Sequence, residues 1–151
     1  MPAFTSDIIN AAQVAMRKWR VPASITLAQW AVESGFGMHM PGGSNNPFGM
    51  KAVAGDPFVL ATTHEFYHGR YVTIQARFRK FVNFADAFDA HAKLLATKRP
   101  YINAMSHVSN PDAFAKALTG VYATDPHYGS TLITVMRSNK LYRYDQPGEM
   151  T

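Results

Sequence analysis

A change of hydrophobic period between residues 57 and 81 constrains this chain most. On either side of it, apolar residues recur at helical spacing. Within it, Pro57-Phe58-Val59-Leu60-Ala61-Thr62 reads as a strand, and Tyr71-Val72-Thr73-Ile74-Gln75-Ala76-Arg77-Phe78 alternates with period two. His68-Gly69 between them marks a turn. One strand-rich insert in a helical chain predicts an α+β fold, mainly α, with a helical body and a small β-hairpin lobe. Ser6 is expected to cap a first helix carrying Ile8, Ala12, Ala15 and Trp19. A second runs from Pro22 to Val32, with proline in its first turn and Gly35 as its stop. From Asn83 the helical period returns, with Phe84, Phe88, His91 and Leu95 on one face and Pro100 beyond its end. Asn110-Pro111 and Asp125-Pro126 each read as a cap followed by a first-turn proline. They open helices carrying Phe114, Leu118 and Val121, and then Tyr128, Leu132 and Met136.

Length and composition fit one domain over residues 1–145, with a frayed tail at 146–151. A chain of 151 residues buries a substantial core without disulfides, and it contains no Cys for redox chemistry or Cys-based zinc sites. Fifteen Lys and Arg against ten Asp and Glu favour anionic partners such as cell-wall polymers. The basic residues are scattered, without a Lys/Arg run or a nucleic-acid motif, so nucleic acid is not an expected partner. No apolar run approaches a membrane span or a signal-peptide core, so stable membrane insertion is not expected either. The expected state is a monomer.

Glu33 is the first candidate for chemistry. It falls in the last turn of the second helix, where the macrodipole is negative and disfavours an ionised carboxyl. Apolar neighbours such as Trp30 and Phe36 disfavour it further. A carboxyl meant to hold its proton near neutral pH, as a general acid must, belongs in such a place. The alternative is a solvated Glu at a frayed helix end. After it comes a Gly/Asn/Pro loop, Met40-Pro41-Gly42-Gly43-Ser44-Asn45-Asn46-Pro47-Phe48-Gly49-Met50-Lys51, whose Asn amides suit sugar hydroxyl and acetamido groups.

The blocks Leu27-Ala28-Gln29-Trp30-Ala31-Val32-Glu33-Ser34-Gly35-Phe36-Gly37 and Asn45-Asn46-Pro47-Phe48-Gly49-Met50-Lys51 resemble the signature of the family 73 endo-β-N-acetylglucosaminidases. That family includes flagellar peptidoglycan hydrolases and many bacterial and phage autolysins. Further matching blocks are Thr62-Thr63-His64-Glu65-Phe66, Ala76-Arg77-Phe78-Arg79-Lys80-Phe81 and Tyr122-Ala123-Thr124-Asp125-Pro126-His127-Tyr128. The resemblance spans nearly the whole chain in order. It implies a lysozyme-like fold, peptidoglycan glycan strands as substrate, and no metal or organic cofactor. It also implies Glu33 as acid, Glu65 as the second acidic residue, and Tyr122 close to the acid. Trp30, Asn45, Asn46, Phe48 and Tyr128 are candidate substrate contacts, although Trp30, Phe48 and Tyr128 also suit a core. A cell-wall enzyme without an export signal is expected to be made in the cytoplasm and to reach the wall by holin release or a secretion machine. An excised domain of a longer chain is the other possibility.

A competing motif, His64-Glu65-Phe66-Tyr67-His68, matches the zinc-binding pattern H-E-x-x-H. That pattern needs a helix to bring both imidazoles to one metal, and here it lies between two strand candidates. On a strand, residues four apart are separated by about 13 Å of rise, and no third ligand follows at a suitable spacing. The chain has only three Glu, one of them Glu149 in the tail, so Glu65 is the natural partner of Glu33 in a two-carboxyl glycosidase. Asp56 is a fallback, and its Gly55-Asp56-Pro57 turn accounts for it. A substrate acetamido oxygen serving as nucleophile would leave Glu65 an electrostatic part. A muramidase on the same fold and a non-catalytic glycan-binding module are the remaining alternatives.

Overall fold

The computed structural model describes residues 4–146. Beyond Gln146, the tail expected to fray lies outside the described residues. Helices α1 (Ser6–Trp19) and α2 (Ala23–Ser34) come first, followed by a long loop and an antiparallel hairpin, β1 (Phe58–Tyr67) and β2 (Arg70–Arg79). Helices α3 (Phe84–Thr97), α4 (Ile102–Met105), α5 (Pro111–Ala117) and α6 (Tyr128–Ser138) complete the body, with 3-10 turns at Arg99–Tyr101 and Leu141–Asp145. This is the expected mainly α architecture with one β lobe.

The body is built around α2. Every residue from Ala23 to Ala31 is buried, and α1, α3, α5, α6 and the last 3-10 turn all pack against it. Small residues on most faces of α2 let its neighbours approach closely. Core rings and aliphatics from Phe48, Phe88, Leu95, Phe114, Leu132 and Met136 fill the gaps between them. The α2 N-terminus has only Pro22 at its cap position and no capping side chain of its own. Asp145 serves instead: its carboxylate accepts from the Ser24 amide at 2.8 Å and the Ser24 hydroxyl at 2.6 Å. A negative charge there satisfies an orphan donor and complements the positive end of the helix.

The hairpin pairs Phe58 with Arg79 through to Tyr67 with Arg70. His68 (φ 52°) and Gly69 (φ 82°) form its two-residue loop, and positive φ at both positions matches the twist of the flanking strands. Both strands run further toward the turn than the sequence pattern indicates, so His64 and Glu65 lie on a strand. The loop after α2 then joins the ribbon. The Ala52 amide donates to Arg77 O, and the Arg79 amide donates to Met50 O, each at 2.9 Å.

Several helix boundaries differ from expectation. The cap of α1 is Thr5, whose hydroxyl receives the Ile8 amide, so Ser6 is the first helical residue. Helix α5 closes at Ala117, leaving Val121 outside it and exposed. Asp125 accepts from the His127 amide at 2.8 Å in a local turn, and α6 begins only at Tyr128. Asn83 and Asn110 cap α3 and α5 as expected.

Candidate active site

Glu33 stands in the last turn of α2, which contains no basic residue. Gly35 ends the helix in the left-handed conformation (φ 56°) and returns its amide to Ala31 O. The Ser34 hydroxyl donates to Trp30 O and accepts the Gly37 amide, fixing the turn that follows. The loop 44–52 folds over the carboxyl. Gly49 approaches so closely that a Cβ there would lie 2.8 Å from Glu33 Oε1, and its φ of 64° also suits glycine. Burial raises the Glu33 pKa from 4.5 to about 7; the Tyr128 hydroxyl opposes that rise, the Glu65 charge adds to it, and Lys51 opposes it. The carboxyl therefore retains a proton near neutral pH, which a general acid requires.

Glu33 lies where two cavities meet between the body and the lobe. The larger, about 490 Å³, is lined by Met38, His39, Met40, Asn46, Ala61 and Thr62 among others. The smaller, about 180 Å³, contains Lys51, Glu65, Tyr71, Tyr122, Thr124 and Asp125. Glu33, Gly49, Thr63 and Phe78 line both. The two carboxyls thus face the same small cavity, one from the body and one from the lobe. Glu65 Oε1 accepts from Lys51 Nζ at 2.8 Å, and its Oε2 accepts from the Thr124 hydroxyl at 3.1 Å. The same Thr124 oxygen receives the Phe66 amide at 2.8 Å, tying β1 to the corner before α6. Tyr71 of β2 lines the same cavity as Asp125 of that corner.

The other candidates divide sharply. Tyr122 lines the smaller cavity and donates its hydroxyl to Phe48 O. Burial and the neighbouring Glu33 push its pKa well up, so it stays a neutral donor. Tyr128 is buried in register with Leu132 and Met136, and its hydroxyl reaches Glu33. Phe48 is fully buried and stacks on His91 at 4.1 Å between ring centroids, so its ring offers no face to a sugar. Trp30 is likewise a core ring, packed against Phe4, Phe36 and the backbone at Gly37.

The two asparagines hold the loop. Asn46 Nδ2 donates to Met50 O at 2.9 Å and Arg79 O at 2.8 Å, while its Oδ1 accepts the Phe48 and Met50 amides. Asn45, at φ 51°, donates to Phe81 O and Val82 O, each at 3.1 Å. The Nδ2 groups of both and the Oδ1 of Asn46 bond to backbone, so these side chains shape the loop, and Asn46 also lines the larger cavity.

The H-E-x-x-H segment forms no helix. His64 Nδ1 pairs across the ribbon with the Thr73 hydroxyl at 3.0 Å, and His68 sits in the hairpin turn. Lys51, Gly49 and Thr124 contribute to the site without having been singled out from sequence. Each lies inside a stretch that carries the family resemblance, and only the folded contacts give it a part.

Comparison with known proteins agrees with this geometry. The exo-glucosaminidase LytG of Bacillus subtilis (strain 168) is 31% identical over 149 residues, covering 95% of this chain and 53% of that protein. The peptidoglycan hydrolase FlgJ of Escherichia coli (strain K12) is 32% identical over 146 residues, covering 91% and 46%. The chain thus spans about half the length of these curated relatives. A crystal structure of a peptidoglycan hydrolase mutant from Sphingomonas sp. A1 superposes with a TM-score of 0.83 at 31% identity, over 94% of this chain and 96% of that one. The family model described as mannosyl-glycoprotein endo-β-N-acetylglucosaminidase matches residues 9–141, from α1 through the last helix, and the chain belongs to this glucosaminidase family of glycoside hydrolases.

Proposed function

We propose that the chain hydrolyses the β-1,4 bond that follows N-acetylglucosamine in the glycan strands of peptidoglycan. The observation that carries the reading is a carboxyl, Glu33, with a pKa near 7 at the junction of two cavities, with room for sugar on either side. The names of the relatives, a glucosaminidase and a peptidoglycan hydrolase, support the substrate class.

In this reading Glu33 delivers its proton to the glycosidic oxygen as the bond to the anomeric carbon breaks. Positive charge develops on the sugar ring, and the negative charge of Glu65 stabilises it across the small cavity. Two routes complete the reaction. In one, Glu65 takes a proton from a water that attacks the opposite face, and the configuration inverts. In the other, the acetamido oxygen of the substrate attacks first. Water then opens the cyclic intermediate while Glu33 recovers a proton, and the configuration is retained. The enzyme acts as a monomer on glycan strands and reaches the wall by holin release or secretion.

The test is product analysis on purified peptidoglycan. N-acetylglucosamine at the new reducing ends is the expected result. N-acetylmuramic acid there would make the chain a muramidase, and unchanged turbidity of the wall suspension would make it a binding module. The anomeric form of the first product, followed by NMR, separates the two routes.

A further inference from the structure

Behind Glu33 lies a line of buried polar groups that hydrophobic patterning alone would have filled with aliphatics. His91 on α3, Gln29 on α2 and Tyr128 on α6 are all buried. His91 Nε2 is 2.7 Å from Gln29 Oε1, Gln29 Nε2 is 2.9 Å from the Tyr128 oxygen, and the Tyr128 hydroxyl interacts with Glu33. The line therefore crosses three helices and ends on the acid.

The direction of each hydrogen bond follows from one orphan. His91 Nδ1 is buried without a partner. If the Gln29 amide were reversed, His91 Nε2 would have to accept, and the ring proton would move to Nδ1, where no acceptor exists. A buried N–H without an acceptor costs on the order of 1–3 kcal/mol, and such donors are rarer than under-used acceptors. The proton accordingly sits on Nε2 and donates to Gln29 Oε1. The Gln29 amide then donates to the Tyr128 oxygen. A phenol oxygen receiving that bond directs its own proton elsewhere, and Glu33 is the partner it meets. Accepting one bond also strengthens the bond it donates. His91 stays neutral because burial drives its pKa down to about 3, and its ring is clamped on Phe48.

We propose that His91 and Gln29 are positioning residues for the reaction: the His91 Nε2–H orients the Gln29 amide, and that amide orients the Tyr128 hydroxyl to donate to Glu33. The proposal rests on the reading of Glu33 as the acid. Its consequence is a set point. Burial alone would drive the Glu33 pKa above its present value, and the Tyr128 donor, by stabilising the carboxylate, holds it down. The other charged or titratable groups facing Glu33 are Tyr122 from the corner before α6, Glu65 from β1 and Lys51 from the loop, with His39, His64, Tyr71 and Asp125 on the cleft walls. None of them belongs to the line.

The test uses the small number of glutamates. With 13C-labelled glutamate the chain shows three side-chain carboxyls, and Glu33→Gln identifies one of them. In the wild type that carboxyl titrates near pH 7, and 15N spectra show His91 as the Nε2–H tautomer. His91→Phe frees Tyr128 and raises the Glu33 midpoint by roughly half to one pH unit. The alkaline limb of kcat moves upward by the same amount, while KM changes less than about twofold. His91→Gln, which returns an N–H to the Nε2 position, restores the wild-type midpoint.

An Nδ1–H tautomer would overturn the proposal, and so would a folded His91→Phe variant whose Glu33 midpoint and alkaline limb do not move. If His91→Phe does not fold, the native tautomer together with Gln29→Met decides the matter by the same midpoint. Turnover that survives Glu33→Gln would remove the catalytic reading, yet leave the NMR midpoints to judge the hydrogen-bonded line separately.

Discussion

Glu33 stands on a helix buried from Ala23 to Ala31 and meets groups delivered by other elements of the body, whereas Glu65 stands on a two-stranded ribbon, its carboxylate held by one loop lysine and one corner threonine. Residues of α2 make contacts on nearly every side. The outer positions of the hairpin, such as Phe58 and Leu60, face solvent. Two carboxyls of the same chemical type therefore sit in different mechanical settings. The acid is preorganised by the core, so its proton affinity is a property of the fold. The second carboxyl depends on where the ribbon rests, and that position is set by the loop before β1 and the Thr124 corner rather than by the helical core.

The largest expected effect breaks or confirms this asymmetry directly. Glu33→Gln should lower kcat on peptidoglycan by about 10²–10⁴-fold, the range of general acid catalysis. Glu65→Gln should lose less, and equal losses would place the two regions on the same footing. The stability of Glu33→Gln should change in the opposite sense to its activity. The Glu33 pKa is raised on folding, from 4.5 to about 7. The folded state therefore binds the extra proton between those values, and stability declines as pH rises through that window. Above pH 7 the buried charge costs on the order of 3–4 kcal/mol, taking about 1.4 kcal/mol for each tenfold change in proton affinity. The uncharged amide avoids that cost, so the variant should melt several degrees higher at pH 8 and about equally at pH 4. A melting point at pH 8 no higher than that of the wild type would show that Glu33 is not held in its neutral form by the core.

Gly49→Ala sharpens the comparison at the junction of the two regions. It forces an L-residue into φ 64° at a cost of about 1–2 kcal/mol and places a methyl against Glu33 Oε1. Displacing the acid should cost roughly tenfold to a hundredfold in kcat. An unchanged rate would mean that the loop yields rather than the acid. Thr124→Val acts on the lobe alone. It removes the acceptor of the Phe66 amide and one donor to Glu65, so about 1 kcal/mol of stability should be lost. Turnover should fall several-fold while the titration of Glu33 stays close to wild type; a large movement of that titration would show the two regions to be coupled. The smallest effect is expected from His68→Ala and from exhaustive chelation, because the hairpin turn holds neither carboxyl. Loss of activity together with stoichiometric zinc would restore the metal reading of the motif.

The elements were largely legible in the sequence because they rest on local periodicity. Alternation from Tyr71 to Phe78, the His68-Gly69 turn and the stop at Gly35 are all short-range signals. The start of α1 was misplaced by one residue because Thr5 and Ser6 are both good caps, and only the geometry chooses between them. The site was legible where one residue carries its own reason. Glu33 at a helix C-terminus is such a case, since its discomfort there follows from the helix itself. The loop-holding part of Asn45 and Asn46 was not legible, because an amide suits a sugar and a backbone carbonyl equally well. Three of their partners, Arg79, Phe81 and Val82, lie more than thirty residues away in sequence. Lys51 and Thr124 escaped for the same reason, since each acquires a role only when β1 swings across to meet it. Gln29 and His91, in helices read as core, carried no local sign that they meet.

The capping of α2 by Asp145 also has a consequence in time. The carboxylate that completes the first turn of the helix carrying the acid lies 121 residues later in the chain. At about 5–20 residues per second of synthesis, the helix waits roughly 6 to 24 s for its partner. Until the last 3-10 turn leaves the ribosome, α2 keeps unsatisfied amides at one end and an awkward carboxyl at the other. The nascent chain thus completes its central helix only after α3 to α6 have been made, and a ribosome stalled short of that turn would present a helix still open at its first turn.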